Sequence, residues 1–264
     1  MKRSAFLMSA LAFGYAFLYA PIVLLVTWSF NESRVANIWG GFSTKWYGEL
    51  WDNSEFLDAA WLSLQVAATS ATAALGLGTL AALALVRFGR FPGRGLFSGL
   101  LAAPLVMPEV ILGLALLLLF VALEDLIGWP DGRGFSTIVI AHTTVGLAYA
   151  TVVIRSRLAQ MDRSLEEAAM DLGARPVKVF LVITLPVIAP SLAAAWLLAF
   201  TLSLDDVVVA SFVTGPGAST LPIEVFSAVR LGVSPQVNAL GSLIVAVVAV
   251  IIVTGWWLAG RRAR

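Results

Sequence analysis

The chain has 264 residues, 59% of them hydrophobic and 12% charged, with a formal net charge of +1 and no cysteine. Its uncharged runs are far longer than a soluble core helix needs, which excludes a water-soluble globular domain; the missing cysteine excludes disulfides, thiolate metal sites and a cysteine nucleophile. So small a net charge gives no basic patch that calls for nucleic acid, and lipid suffices as the partner of the basic residues present.

A hydrocarbon core of about 30 Å is crossed by roughly 20 apolar residues in a helix, because backbone polar groups must be satisfied within the segment. Six stretches meet that length. Residues 5–30 form the first, read as retained rather than as a signal peptide because the apolar run is about twice a typical h-region. Residues 59–86 form the second. The third, 95–123, is interrupted only by Glu109. The fourth is 134–154, the fifth 191–214 with Asp205 and Asp206 inside it, and the sixth 231–260. The expected fold class is therefore all-α: an integral membrane protein with six transmembrane helices in a single domain, 1–264.

Placing the amino terminus in the cytoplasm puts thirteen of the seventeen basic residues inside and leaves Arg34, Lys45, Arg133 and Arg230 outside. The positive-inside rule then sets both termini in the cytoplasm. Trp28, Trp39, Trp46, Tyr47, Trp51 and Trp61 gather at the outer ends, Trp196, Trp256 and Trp257 at the inner ends, as an interfacial belt would. The outer loop 31–58 suits a short amphipathic segment on the membrane surface.

The inner loop 155–190 is the most charged segment inside. Ser164 and Glu167 have the spacing of a capping box, predicting a short helix from about Leu165. Leu165, Ala168, Ala169 and Leu172 make one apolar face, while Glu166, Met170 and Asp171 lie elsewhere. Gly173 is a left-handed stop, Pro176 opens a second helix, and Pro186 and Pro190 bend the chain. Such a helix–turn–helix is either a knob for a groove on another protein or a membrane-surface helix.

The residues "EEAAMDLGARPVKVFLVITLP" resemble the EAA signature of ABC importer permeases: Glu167-Ala168-Ala169, then Gly173, then Leu185-Pro186. The stretches "LVRFGRFPGRG", "APLVMPEVILGLALLLLF" and "LSLDDVVVASFVTGPGASTLPIEVFSAVR" are similar to the polyamine branch of that family, most of all the permease subunit of putrescine importers. The resemblance implies a type I ABC importer permease fold in the bacterial inner membrane. It implies a coupling helix carrying Glu167, Ala168, Ala169 and Gly173 that docks on a cytoplasmic ATPase. It also implies a homologous second permease, two copies of that ATPase, and a periplasmic polyamine-binding protein. No "GxxxxGK[ST]" loop occurs, so ATP and its Mg belong to the partner ATPase, and the chain itself needs no cofactor and is not an enzyme.

A carboxylate at the bilayer centre costs roughly 2.5 to 3.5 kcal/mol on insertion scales, so Glu109, Asp205 and Asp206 require an explanation. On unbroken helices Glu109 and Asp205 would each lie fourteen residues from the inner end of their span, about 21 Å deep and level with one another. Asp205 and Asp206 would point about 100° apart, with Asp205 the pore-facing member. The acids either line a cation path or fasten helices together. Phe200 and Phe212 are packing residues or cation–π partners. His142 is a helix-to-helix donor or a proton relay. Pro104 and Pro108 beside Glu109 mark a gate or a packing kink, and Glu224 a gate segment or a solvated loop. The leading expectation is a permease subunit importing putrescine by alternating access. The alternatives are a spermidine or other small-cation importer and, in another class, an ion-coupled secondary transporter.

Overall fold

The computed structural model describes residues 2–35, 38–232 and 235–262. Arg264, assigned to the inner face by charge, lies outside the described residues, as do the side chains of Lys2, Arg3, Trp256, Arg261 and Arg262. In chain order the helices are α1 (Lys2–Trp28), α2 (Lys45–Trp51), α3 (Ser54–Arg87), α4 (Arg94–Val106), α5 (Glu109–Ile127) and α6 (Phe135–Gln160). They continue with α7 (Ser164–Asp171), α8 (Pro176–Val179), α9 (Leu185–Leu204), α10 (Val208–Val213), α11 (Leu221–Leu231) and α12 (Pro235–Arg262). Among the described residues five helical stretches are long and apolar enough to cross a membrane: in α1, α3, α5, α6 and the run Pro176–Leu204. The 28-residue α12 is the sixth spanning helix, apolar over Pro235–Val250.

The chain divides into two compact units, one of Met1–Leu57 with Glu224–Arg264 and one of Asp58–Ile223. In the first, α1 and α2 both pack on α12. The loop after α1 is wound around Asn31, whose side chain accepts from the Gly40 amide at 2.8 Å and donates to the Ile38 carbonyl at 2.8 Å. Trp46 inserts beneath it, 2% exposed, its indole N–H donating to the Asn31 carbonyl. Trp46 therefore leaves the expected belt: its donor had a buried partner, so burial cost nothing polar. The outer loop 31–58 contains a short helix, α2, which buries Trp46 and Leu50.

In the second unit α6 is the central helix. Lipid is as apolar as leucine, so burial gives little drive here and close packing of small residues holds the helices together. Gly146 shows the tolerance: a Cβ there would stand 3.1 Å from Ala74 Cβ on α3 and 3.3 Å from Ala199 Cβ on α9. Ile138, Ile154 and Leu158 are fully buried along the same helix.

Two expected spans are not continuous helices. The third breaks into α4 and α5 at Met107 and Pro108, both in extended conformation. Proline disfavours the helical conformation of the residue before it and brings no amide of its own, so the turn cannot close. Glu109 thus opens α5 instead of lying mid-helix. The fifth span is displaced from 191–214: helix runs from Pro176 through a π-helical turn, Phe180–Thr184, and stops at Leu204. Pro186 lacks the amide that would have bonded the Val182 carbonyl, and the wider turn ahead of it, closed by the Leu185 amide on the Phe180 carbonyl, shifts the register without ending the helix. Depths counted along unbroken helices, and the 100° separation of the two aspartates, therefore do not apply.

Candidate functional site

Helix α9 ends because the Asp206 side chain takes over the following amides. Its Oδ1 accepts from Val209 N at 3.2 Å and its Oδ2 from Ala210 N at 2.7 Å, hydrogens that an unbroken helix would give to backbone carbonyls. Asp206 is thereby the effective cap of α10. Asp205 becomes the residue after the last turn of α9, with an exposed side chain.

This break and the α4–α5 break open on one cavity of about 370 Å³, lined among others by Glu109, His142, Tyr149, Asp205 and Asp206. The volume falls within the usual range of small-molecule sites. Among the described residues neither Glu109 nor Asp205 forms an ion pair, and both are exposed. Asp206 is committed elsewhere: His142 Nε2 lies 3.1 Å from its Oδ2, and His142 Nδ1 lies 2.6 Å from Ser203 Oγ, which accepts from Ser70 Oγ at 3.1 Å. The buried imidazole ties α6 to the end of α9 and to the break, as a helix-to-helix donor would.

The aromatic residue on the cavity wall is Tyr149, which sequence reasoning missed. It follows His142 by seven residues, two helical turns along one face, and that spacing was a usable signal. Phe200 instead stacks on Trp196 with ring centres 5.1 Å apart, and Phe212 packs against the buried cluster of α5, α6 and α10. Both are packing residues.

The second candidate surface is α7. The expected Ser164–Glu167 capping box does not form; the Ser164 amide donates instead to Asp162 Oδ1 at 3.0 Å, and no side chain caps the helix from Arg163. That amide and the Ser164 hydroxyl hold the Asp162 carboxyl below its ordinary range. At the other end Gly173 has φ of +83°, with its amide on the Met170 carbonyl at 2.8 Å and the Ala174 amide on the Ala169 carbonyl at 3.0 Å. Those are the two bonds of a Schellman stop. Glu167, Ala168, Gly173 and the 90% exposed Leu172 face outward, and Ala169 is half-buried.

Glu166 was assigned no role by sequence, yet it anchors α7. Its Oε2 lies 2.9 Å from Arg87 Nε at the end of α3, and its Oε1 accepts from Thr184 Oγ1 at 2.6 Å in the π-helical turn. Nearby arginines close α3 itself: Arg94 donates to the Leu85 carbonyl at 2.8 Å and Arg163 to the Val86 carbonyl at 2.5 Å. Basic residues that the sequence explains by membrane orientation thus also satisfy the open carbonyl end of a helix.

Known proteins share this architecture. Residues 74–260 match the family described as "Binding-protein-dependent transport system inner membrane component". Over 259 residues the chain is 57% identical to the putrescine transport system permease protein PotI of Escherichia coli (strain K12), covering 98% of this chain and 92% of that one. It is 42% identical over 245 residues to the spermidine/putrescine transport system permease protein PotC of the same strain, covering 93% and 90%. Among solved structures, a bacterial ABC transporter involved in the import of the acidic polysaccharide alginate superposes with a TM-score of 0.75 at 18% identity, over 98% of this chain and 94% of that one.

Proposed function

We infer, from the premise that this chain belongs to the family of binding-protein-dependent transport system inner membrane components, that it is the permease subunit of an ATP-driven importer whose cargo is a polyamine, putrescine foremost. It is a multi-pass inner-membrane protein with the type I ABC importer permease fold, and ATP is hydrolysed by a separate subunit. The reading extends to a second, homologous permease, two copies of the ATPase docked on α7 through Glu167, Ala168, Ala169 and Gly173, a periplasmic polyamine-binding protein, and both termini in the cytoplasm.

The observation that carries the cargo is the pair of unpaired carboxylates, Glu109 and Asp205, on one cavity at two helix breaks. Acids inside a membrane region are retained where they meet a cation or line a water-filled path. The two differ in helix polarity. Glu109 sits at the amide end of α5, where the dipole already favours an anion, whereas Asp205 sits at the carbonyl end of α9, where carboxylate and carbonyls together attract a positive charge. Asp205 is therefore the principal ammonium partner, Glu109 the second, and the Tyr149 ring offers a cation–π face on the same wall. Asp206 belongs to the pathway as the residue that shapes it.

Uptake of labelled putrescine into vesicles containing the complete transporter tests this. Asp205→Asn is expected to lower uptake more than Glu109→Gln, with ATPase assembly retained in both. Unchanged uptake in the double variant would sink the pathway assignment.

A further inference from the structure

We propose that His142 sets the number of carboxylates the cavity offers to a cation, by engaging Asp206 in a half-buried bond so that Glu109 and Asp205 remain the two free acids, a count matched to a diamine. The inference rests on the polyamine reading above and adds a specificity-determining position to it.

The imidazole is fixed at both nitrogens. The Asp206 carboxylate only accepts, so Nε2 carries the hydrogen directed at Oδ2, 3.1 Å away, while Nδ1 lies 2.6 Å from Ser203 Oγ, which in turn stands 3.1 Å from Ser70 Oγ. Ser70, Ser203 and His142 are all buried, supplied by α3, α9 and α6. Asp206 in turn has both oxygens engaged by backbone amides of α10. The titratable groups that share the cavity wall with this relay are Glu109, Tyr149, Asp205 and Asp206, and among the described residues no lysine or arginine is on that wall. Fastening helices together would need only His142 and Ser203. A histidine that reaches past its serine to one of two adjacent aspartates does something more: it occupies an oxygen of one carboxylate on the cavity wall and leaves its neighbour free.

His142→Leu would strip Asp206, which already lines the cavity, of its one side-chain partner, leaving a carboxylate held only by backbone amides as a third acceptor for a cation. A triamine with three ammonium groups should then gain over a diamine with two. The experiment is competition between labelled putrescine and spermidine for the purified transporter, permease pair with ATPase, in nanodiscs without the binding protein, so that the latter's selectivity does not intervene. His142→Leu is expected to raise spermidine-to-putrescine preference about tenfold, equivalent to about 1.4 kcal/mol. His142→Gln, which keeps a donor at the reach of Nε2, should bring the ratio back toward wild type. His142→Leu combined with Asp206→Asn, which removes the added charge, should return it fully. Ser203→Ala, which frees the ring at Nδ1, should move the ratio the same way by less and decides the matter if His142→Leu does not assemble. Parallel weakening of both amines with an unchanged ratio in His142→Leu and Ser203→Ala would overturn the proposal and leave His142 a fastener. If the wild-type transporter binds neither amine, the polyamine reading fails instead.

Discussion

Replacing Glu166 by alanine removes the tie between α7 and the membrane helices without touching the outward face of α7. Arg87 and Glu166 are 15% and 14% exposed at the side chain, with contacts of 2.9 Å and 3.2 Å between them and a 2.6 Å bond from Thr184 to the same carboxylate. Exposed pairs are worth about 0 to 1 kcal/mol, while breaking a fully buried pair costs about 3 to 5 kcal/mol. The small residual exposure places Glu166→Ala below the buried limit, at about 2 to 3 kcal/mol. Arg87→Met should cost a similar amount, and the double variant less than the sum, with a coupling energy of about 1 to 2 kcal/mol. Reversible detergent unfolding of the four-member mutant cycle measures it, and uptake per ATP hydrolysed in the reconstituted transporter should fall in Glu166→Ala. A coupling energy below about 0.3 kcal/mol, the ordinary scatter of independent sites, would refute the claim that this pair anchors α7.

Three further outcomes are expected. Glu167→Lys, on the exposed face of α7, should leave the fold intact and uncouple uptake from ATP hydrolysis; wild-type uptake by this variant would remove Glu167 from the docking surface. Gly146→Leu should prevent the approach of α3 and α9 to α6, since Ala74 Cβ and Ala199 Cβ would stand only 3.1 Å and 3.3 Å from a Cβ at residue 146, and cost about 1 to 3 kcal/mol in the same unfolding assay; Gly146→Ala should cost less. Asp162 is held below its ordinary range by the Ser164 amide and hydroxyl, so its contribution to the start of α7 is complete above the ordinary carboxyl range near 3.9 and is lost only as pH falls through its lowered folded value. Hydrogen exchange at the Ser164 amide, corrected for its intrinsic pH dependence, should therefore show constant protection between about pH 7 and 5; a loss of protection within that interval would contradict the sign.

Helix content, span number and the α7 stop were legible because they depend on local chemistry: length of apolar runs, and a glycine that tolerates φ of +83° at Gly173. The start of α7 was misread because two side chains compete for the same amide, and Asp162, two residues before Ser164, wins over a box that needs Glu167 to fold back. Glu166 could not be read at all, since its partners Arg87 and Thr184 stand 79 and 18 residues away. The acids were found by burial cost, but their arrangement was not: treating the spans as continuous hid the fact that each acid sits at a helix end.

That placement changes what the acids can do. An acid in the middle of a helix has its neighbouring amides and carbonyls already paired, so only its side chain is available to a cargo. At a break, the terminal backbone groups are available as well. Pro108 makes one break by lacking an amide, and Asp206 makes the other by capturing two. The two causes differ in an important respect. The proline break is permanent, whereas the aspartate break depends on a side chain whose orientation is held by His142. Asp205 is therefore left at the carbonyl end of α9 by a break that the Val209 and Ala210 amides hold on its neighbour, and the adjacent pair of aspartates divides the work: Asp206 engages the backbone while Asp205 stays exposed on the cavity.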